Sequence, residues 1–281
     1  MSTPAPIWRA LRRSPSGIAG VTLVLLFVGL GLVGPALAPF EVDDLAGAAG
    51  QAPGARFLLG TDALGRDILS RVLHGARISL GVAGGAVGLG TAVGLLVGLV
   101  SGYRGGHVDL LAQRLVDVVV AVPPLVLLLV AVRVAGPSAG TVVAVIGLVI
   151  APGVARIVRG AVLVERALPY VEASRALGGS DTRIIFRHIL PNIVPVVIVV
   201  ATTLLAAAML AEASLSFLGL GVPPPNPSWG ADVAAARNAF PVNVSQALFP
   251  GLAMALAVLG VTLLGDWLRD LLDPRLRSRV R

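Results

Sequence analysis

Long apolar stretches alternate with short polar segments along almost the whole chain. A hydrocarbon core of about 30 Å requires about 20 helical residues at roughly 1.5 Å per residue. Six stretches approach or exceed that length: Ile18 to Ala38, Ile78 to Val100, Val116 to Val134, Ala139 to Ala155, Ile193 to Phe217 and Gln246 to Gly265. The pattern therefore predicts an all-α membrane protein with six transmembrane helices.

The arginines that flank these stretches are divided unequally between the two sides of the predicted membrane. With the N-terminus inside, 16 of the 22 basic residues lie on inner segments. The outer segments carry only Arg56, Arg66, Arg71, Arg77, Arg133 and Arg237. Because basic residues accumulate in the cytoplasmic segments of membrane proteins, the bias predicts that both termini are cytoplasmic.

The first stretch has two interpretations. It follows Arg9, Arg12 and Arg13 and ends in A-L-A at 36–38, which is also how a secretory signal peptide is built. It is longer than a typical signal-peptide core and further spans follow it, which favours an uncleaved helix. The chain then divides into a cytoplasmic segment 1–17, a first transmembrane helix 18–39, an extracytoplasmic segment 40–77, a transmembrane domain 78–270 and a basic cytoplasmic tail 271–281.

Composition supports a membrane location and excludes several kinds of chemistry. Hydrophobic residues make up 56% of the 281 residues, and the mean hydropathy is +0.90. There is no cysteine and no lysine, so thiol chemistry and the phosphate-binding lysine of a P-loop are excluded. His74, His107 and His188 lie in different loops, which predicts no metal site, and no Ser/His/Asp arrangement is recognisable. The net charge of +7 comes from arginines that flank apolar stretches, which predicts no nucleic-acid binding.

Glycine and proline modify three of the predicted spans. In the second span, small residues recur at intervals of four, including the pairs Gly90/Gly94 and Gly94/Gly98. Such spacing lets two helix backbones approach closely in lipid, so we expect this span to be a buried helix. Pro123-Pro124 in the third span and Pro152-Gly153 in the fourth are expected to kink or end their helices.

The segment 165–195, between the fourth and fifth spans, carries the pattern of two short helices. Pro169 suits a first helical turn, and Gly178-Gly179 provides a stop where positive φ is available. Ser180 can cap a second helix that runs until Pro191. By the predicted topology this helical pair projects into the cytoplasm, where it needs a partner surface or remains a solvated basic loop.

The same segment resembles the cytoplasmic signature of the permeases of ABC importers, which reads E-A-A, three residues, G, nine residues, I-x-L-P. The matching positions are Glu172, Ala173, Ser174, Gly178, His188, Ile189, Leu190 and Pro191. Ser174 replaces the second alanine and His188 replaces the isoleucine of the pattern. The resemblance extends from about residue 57 to 275 through the blocks 59–80, 211–230 and 264–275, which are similar to the C-type permease of the dipeptide/oligopeptide/nickel branch.

The resemblance implies a permease subunit of the bacterial inner membrane that binds no cofactor itself. Its loop 165–195 would insert into a groove of a separate ATPase subunit and transmit movement driven by ATP. The implied partners are a second, different permease chain, two P-loop ATPase subunits, an extracytoplasmic substrate-binding protein and the lipid bilayer. Di- or oligopeptides are the implied cargo, although nickel, opine and glutathione systems share the same signatures.

Two other classes of protein compete with this interpretation. A secondary transporter driven by an ion gradient would be expected to show paired intramembrane carboxylates and inverted repeats. The chain shows no convincing repeat, and Glu212 lies near a membrane edge. An intramembrane enzyme would need a nucleophile or metal constellation at depth, and none is recognisable.

Polar residues on the outer side form two further candidate sites. Asp62, Arg66, Asp67 and Arg71 belong to a segment whose apolar positions are spaced as one helical face. We expect an amphipathic helix at the interface that either contacts the binding protein or gates the outer mouth, or is a surface helix held by its own ion pairs.

Glu212 lies near the outer end of the fifth span with Ser214 and Ser216 close by. These three residues either line the translocation path or form a hydrogen-bonded group at the interface. At the inner end of the third span, Asp117 is expected to pair with Arg114, one turn earlier.

Overall fold

A computed structural model describes residues 7–12, 14–237 and 243–272, and this part of the chain is helical without a β-strand. The predicted tail 271–281 lies outside the described residues except for its first two positions. The helices are α1 (Ile7–Arg12), α2 (Pro15–Leu37), α3 (Ile68–Arg104), α4 (Gly106–Ala121), α5 (Pro124–Ala135), α6 (Ala139–Arg166), α7 (Pro169–Ala176), α8 (Asp181–Ile184), α9 (Leu190–Phe217), α10 (Trp229–Ala236) and α11 (Ser245–Leu272). The all-α class is confirmed.

Five helical segments are long and apolar enough to cross a membrane: Pro15–Leu37, Ile68–Arg104, Ala139–Glu165, Asp181–Phe217 and Ser245–Leu272. The third predicted span is instead the pair α4 and α5, which meet at an angle of 90° and raise the number to six if they count as one. The break falls at Pro123-Pro124, where Val122 is extended with ψ 131. Proline disfavours helical backbone at the preceding residue and lacks an N–H, so the expected interruption is confirmed here. By contrast, α6 runs through Pro152 to Arg166 without ending.

The small residues of α3 form a close contact with α6. A Cβ on Gly90, Gly94 or Gly98 would lie 2.6, 2.6 and 2.7 Å from the carbonyl oxygens of Gly147, Ala151 and Ala155, respectively. Both helices therefore contribute positions four apart to one backbone-to-backbone seam. On another face of α3, a Cβ on Gly81, Gly84 or Gly88 would meet nothing within 4 Å. The predicted buried helix is thus present, and one of its partners lies in the same chain.

The predicted interfacial helix before the second span is wrong. Residues 61–67 form a turn, and Ile68 already begins α3, so Ile68, Leu69, Val72 and Leu73 belong to the first turns of a transmembrane helix. The Asp67 carboxylate caps α3 by accepting hydrogen bonds from the Ser70 amide and hydroxyl at 2.8 and 2.7 Å. A helical period in the sequence cannot distinguish a short surface helix from the start of a longer one.

A short helix, α10, is anchored to the middle of α2 and the first turns of α3 by a buried tryptophan. The Trp229 indole N–H donates to the Val72 carbonyl at 3.0 Å, and its backbone N–H donates to the Ser79 hydroxyl at 3.0 Å. Its ring meets the Phe27 ring edge-on at 5.6 Å. Trp229 is fully buried.

Candidate functional site

The predicted helical pair is present as α7 and α8. Pro169 occupies the first turn of α7, and Gly178 follows the helix with φ +81°. Only glycine adopts such a backbone conformation without strain. The Gly179 N–H donates to the Ser174 carbonyl at 2.9 Å, and the Ser180 hydroxyl accepts from the Arg183 N–H at 3.4 Å to cap α8. The local signals in the sequence therefore correctly predicted how the first helix stops and the second begins.

The second helix does not end at Pro191 as expected. Residues Ile185–Ile189 form a π turn, in which the Leu190 N–H donates to the Ile185 carbonyl, and α9 follows at once. Asp181–Phe217 is consequently one helical segment. Proline has no N–H for the carbonyl four residues earlier, and the wider π turn immediately before it accommodates this loss. The helical pair is thus joined directly to the fifth span.

The π turn also determines which side chains face the protein. In a regular α-helix, residues five apart point about 140° away from each other. Here Ile184 and Ile189 are both fully buried, since the π turn places positions five apart on one side. Together with Val171 of α7 they pack among Leu99, Tyr103, Val154, Val158, Val162 and Ile193. This core joins the helical pair to the C-terminal parts of α3 and α6.

Polar contacts reinforce that attachment at the end of α3. The Tyr103 hydroxyl donates to the Asp181 carboxylate at 2.6 Å, and the Arg175 guanidinium lies 5.6 Å from the Tyr103 ring centre. The Arg166 guanidinium donates to the carbonyls of Gly102 and Tyr103 at 2.8 and 3.0 Å. A cation at the last carbonyls of a helix is favourable because these groups lack helical partners.

A second set of polar side chains connects the two ends of the segment 165–195. The Asn192 amide nitrogen lies 2.7 Å from the Glu165 carboxylate, 2.9 Å from the Tyr170 hydroxyl and 2.9 Å from the His188 carbonyl, and its two N–H groups donate within this set of acceptors. The Tyr170 hydroxyl also donates to Glu165. Burial and this hydrogen bond raise the pKa of the Tyr170 phenol, so it stays protonated and remains a donor. The end of α6 and the starts of α7 and α9 are therefore tied together.

The residues of the signature divide into an exposed and a packed group. Glu172, Ala173 and Gly178 are exposed, and Ser174 is half-buried. Ile189 is fully buried, His188 and Leu190 are half-buried, and Pro191 is exposed. The first half of the signature thus offers a surface, whereas Ile189 holds the loop on the protein. Sequence reasoning missed Tyr103, Glu165, Arg166, Tyr170 and Asn192, and only the position of Asn192 directly after the signature could have suggested it.

The outer candidates Asp62, Arg66, Asp67 and Arg71 face the protein interior. The Asp62 carboxylate accepts from the backbone N–H groups of Leu64 and Arg66 at 2.8 and 2.9 Å and from the Arg66 side chain at 2.6 Å. Arg71 donates from Nε to the Asp232 carboxylate at 2.9 Å and from Nη2 to the same oxygen. Asp62, Asp67, Arg71 and Asp232 are all buried. The cluster therefore connects the start of α3 to α10 and has little surface for a partner.

Glu212 is also enclosed. It is buried, and its carboxylate accepts from the Ser216 hydroxyl at 2.8 Å. Ser216 in turn lies 3.5 Å from the hydroxyl of Ser228, which caps α10. Ser214 is exposed and donates to the Leu210 carbonyl at 2.7 Å. Glu212 is thus hydrogen-bonded to Ser216 but not to Ser214.

Two ion pairs join α4 to α6, and the sequence predicted neither. Asp117 pairs with Arg156 at 2.7 Å instead of the expected Arg114. Asp109 accepts two hydrogen bonds from Arg159, both at 2.5 Å. The expected pair was wrong because α4 lies against α6, which brings a closer arginine to Asp117.

Among the described residues, no group of three or more His, Cys, Asp or Glu side chains could hold a metal ion. The segment 165–195 exposes one helix, holds that helix to the rest of the chain through an apolar core and polar contacts, and continues into a transmembrane helix.

Two protein families match the chain. Residues 94–278 match the family described as binding-protein-dependent transport system inner membrane component. Residues 5–53 match the N-terminal transmembrane domain of oligopeptide transport permease C. Together these matches extend over both the first span and the helices that carry the site.

Similar proteins agree with these families. The glutathione transport system permease protein GsiD of Pectobacterium atrosepticum is 38% identical over 273 residues, which cover 96% of this chain and 91% of that protein. GsiD of Shigella flexneri serotype 5b is 41% identical over 277 residues, 96% of this chain and 90% of that protein. Among solved structures, the inward-facing MetNI methionine ABC transporter has a similar fold, with a TM-score of 0.59 and 21% identity over 72% of this chain and 96% of that chain.

Proposed function

This chain belongs to the family of binding-protein-dependent transport system inner membrane components, and from that premise we propose that residues 165–195 couple it to an ATPase. It is a multi-pass permease of the inner membrane and a component of an ABC transport system. The observation that carries the coupling role is the exposed helix α7, which is held to α3 and α6. After the turn at Gly178-Gly179, α8 continues into the transmembrane helix α9 without a break. A push on this surface would be transmitted to a membrane span.

The proposed topology has six spans and both termini in the cytoplasm. The broken pair α4 and α5 counts as one span in this arrangement. The distribution of arginines supports it, because 16 of the 22 then lie on inner segments. Residues 165–195 are then cytoplasmic, on the side where ATP is available.

The proposed assembly contains a second, different permease chain, two P-loop ATPase subunits and an extracytoplasmic substrate-binding protein. The family description supports the binding protein, since it names the transport system as dependent on one. The absence of lysine from the chain supports a separate ATPase, because a P-loop requires a lysine at the phosphates. In this proposal the chain does no covalent chemistry, binds no cofactor, and depends on ATP used by its partners.

Short peptides, including glutathione, are the proposed cargo. The relatives named as glutathione permeases align with 96% of this chain, and the matching N-terminal domain is named for oligopeptide transport. Family membership favours this ATP-driven importer over a secondary transporter driven by an ion gradient.

Changes on the exposed part of the signature should uncouple transport from ATP hydrolysis. We expect Glu172→Lys and Gly178→Asp to reduce peptide uptake at least tenfold, because the first reverses a surface charge and the second strains a backbone with φ +81°. The amount of permease in the membrane should stay unchanged, since both positions are exposed. Uptake of labelled peptide and ATP hydrolysis in proteoliposomes measure the effect.

Glu41→Lys is the matched control for the charge reversal, because Glu41 is also an exposed glutamate but lies in the outer loop. It should retain peptide uptake. Normal uptake by both Glu172→Lys and Gly178→Asp would contradict the coupling role of this loop.

A further inference from the structure

One carboxylate oxygen of α10 is buried without a hydrogen-bond donor. Both hydrogen bonds from Arg71 to Asp232 reach Oδ1, whereas Oδ2 accepts no hydrogen bond within the described residues. The Asp232 side chain is only 8% exposed, so bulk water does not satisfy this oxygen. Buried polar atoms in folded proteins nearly always have a partner, and an orphaned acceptor therefore indicates a bound group.

Asp232 lines a small cavity between the turn before α3, the helix α10 and the first turns of α11. The polar residues around this cavity are all buried, and they are Asp62, Arg71, Asp232 and Gln246. The centre of a water molecule can occupy about 10 Å³ of the cavity. One bound water needs about 10–15 Å³ by this measure, so the cavity holds a single water or a small ion.

Gln246 of α11 offers a hydrogen-bond donor at the same cavity. Its amide oxygen accepts from the Ala63 N–H at 3.1 Å, which assigns the nitrogen to the other position of the amide. That nitrogen makes no hydrogen bond within the described residues. The Asp62 carboxylate accepts from Arg66 through Oδ2, and a carboxylate oxygen can accept a second hydrogen bond. The cavity thus combines acceptors from α10 and from the turn before α3 with a donor from α11.

We propose that this cavity is a binding site for one structural water molecule. The water donates to Asp232 Oδ2 and to the Asp62 carboxylate, and it accepts from the Gln246 amide. Three hydrogen bonds are typical of a buried water. In this position the water links three separate elements of the chain, and it completes the hydrogen bonds of the ion pair between Arg71 and Asp232.

The charges around the cavity favour water over a metal cation. Asp62 and Asp232 each carry a negative charge. Arg66 contacts the first and Arg71 contacts the second, so the four charges balance without a further ion. The Arg71 guanidinium also lines the cavity and would repel a cation placed there. A neutral ligand that both donates and accepts hydrogen bonds fits this set of groups.

Hydroxyl-radical footprinting by X-ray radiolysis tests the site in the assembled transporter, because a bound water releases radicals beside side chains that bulk solvent does not reach. Ile68 and Pro250 are buried and line the cavity. Ile146 and Pro152 are the matched controls, since they are buried residues of the same two types on α6. We expect the first pair to be modified several-fold faster than the second. Equally slow modification of both pairs would overturn the proposal.

The double substitution Arg71→Met with Asp232→Leu tests whether the polar groups hold the water. Apolar cavities stay dry, so the modification of Ile68 and Pro250 should fall to the rate of the control pair. Unchanged modification in this variant would mean that solvent enters without a specific site, which refutes the proposal. The comparison within the wild type is independent of this variant.

Thermal unfolding in buffers of different cations distinguishes water from a bound ion. The wild-type permease should melt at the same temperature in sodium, potassium and choline chloride at equal ionic strength. A lower melting temperature in choline alone would show that the cavity binds a metal cation, and the assignment to water would then be wrong.

Discussion

Replacing Asp232 by alanine is expected to destabilise the packing of α10 on α3 by about 3–5 kcal/mol, the usual effect of removing one partner from a buried ion pair. The Asp232 side chain is 8% exposed and that of Arg71 is 10% exposed. Both hydrogen bonds from Arg71 to Asp232 reach the same carboxylate oxygen. Without this carboxylate, the guanidinium remains buried, and its nearest other carboxylate is Asp62 at 4.0 Å. The midpoint of thermal unfolding in detergent, monitored by size-exclusion chromatography, measures the change.

The double substitution Arg71→Met with Asp232→Leu is the control for this prediction. Apolar replacement of both partners is often neutral, because no unpaired charge is left in the interior. We therefore expect the double variant to melt closer to the wild type than Asp232→Ala does. Equal melting of Asp232→Ala and the wild type would show that the ion pair does not hold α10 to α3.

Gly94→Val is expected to lower the amount of folded permease in the membrane several-fold. Its Cβ would lie 2.6 Å from the Ala151 carbonyl oxygen and 2.6 Å from the Val154 Cβ. The carbonyl oxygen belongs to the backbone of α6, so the clash can be relieved only by moving the two helices apart. Overpacking in a close-packed interior typically costs about 1–3 kcal/mol. Here the separation would also open the contacts at Gly90 and Gly98 along the same seam.

Gly88→Val provides a matched comparison on the same helix. A Cβ at Gly88 meets nothing within 4 Å, so valine fits within this chain. We expect the folded amount and the melting temperature of this variant to match those of the wild type when the permease is produced alone. Equal losses from Gly88→Val and Gly94→Val would mean that the seam between α3 and α6 is not what makes glycine necessary.

The apolar helices and the local shape of residues 165–195 could be predicted from the sequence. Each depends on a signal carried by neighbouring residues: apolar length, or a stop such as Gly178-Gly179 followed by the cap Ser180. The break at Pro123-Pro124 was predictable for the same reason, since proline acts on its own turn and on the residue before it.

The tertiary structure alone decided which residues form a surface and which form the interior. Arg71 and Asp232 are 161 positions apart, and no local pattern identifies them as partners. The helical period of residues 68–73 was correctly detected but wrongly assigned to a surface helix, because a period does not tell what covers each face. Likewise Val171 and Leu177 are both apolar residues of one loop, yet the first is fully buried and the second is 88% exposed. The physical reason is that helix formation follows from hydrogen bonds within a few residues, whereas burial depends on which distant helix packs against each face.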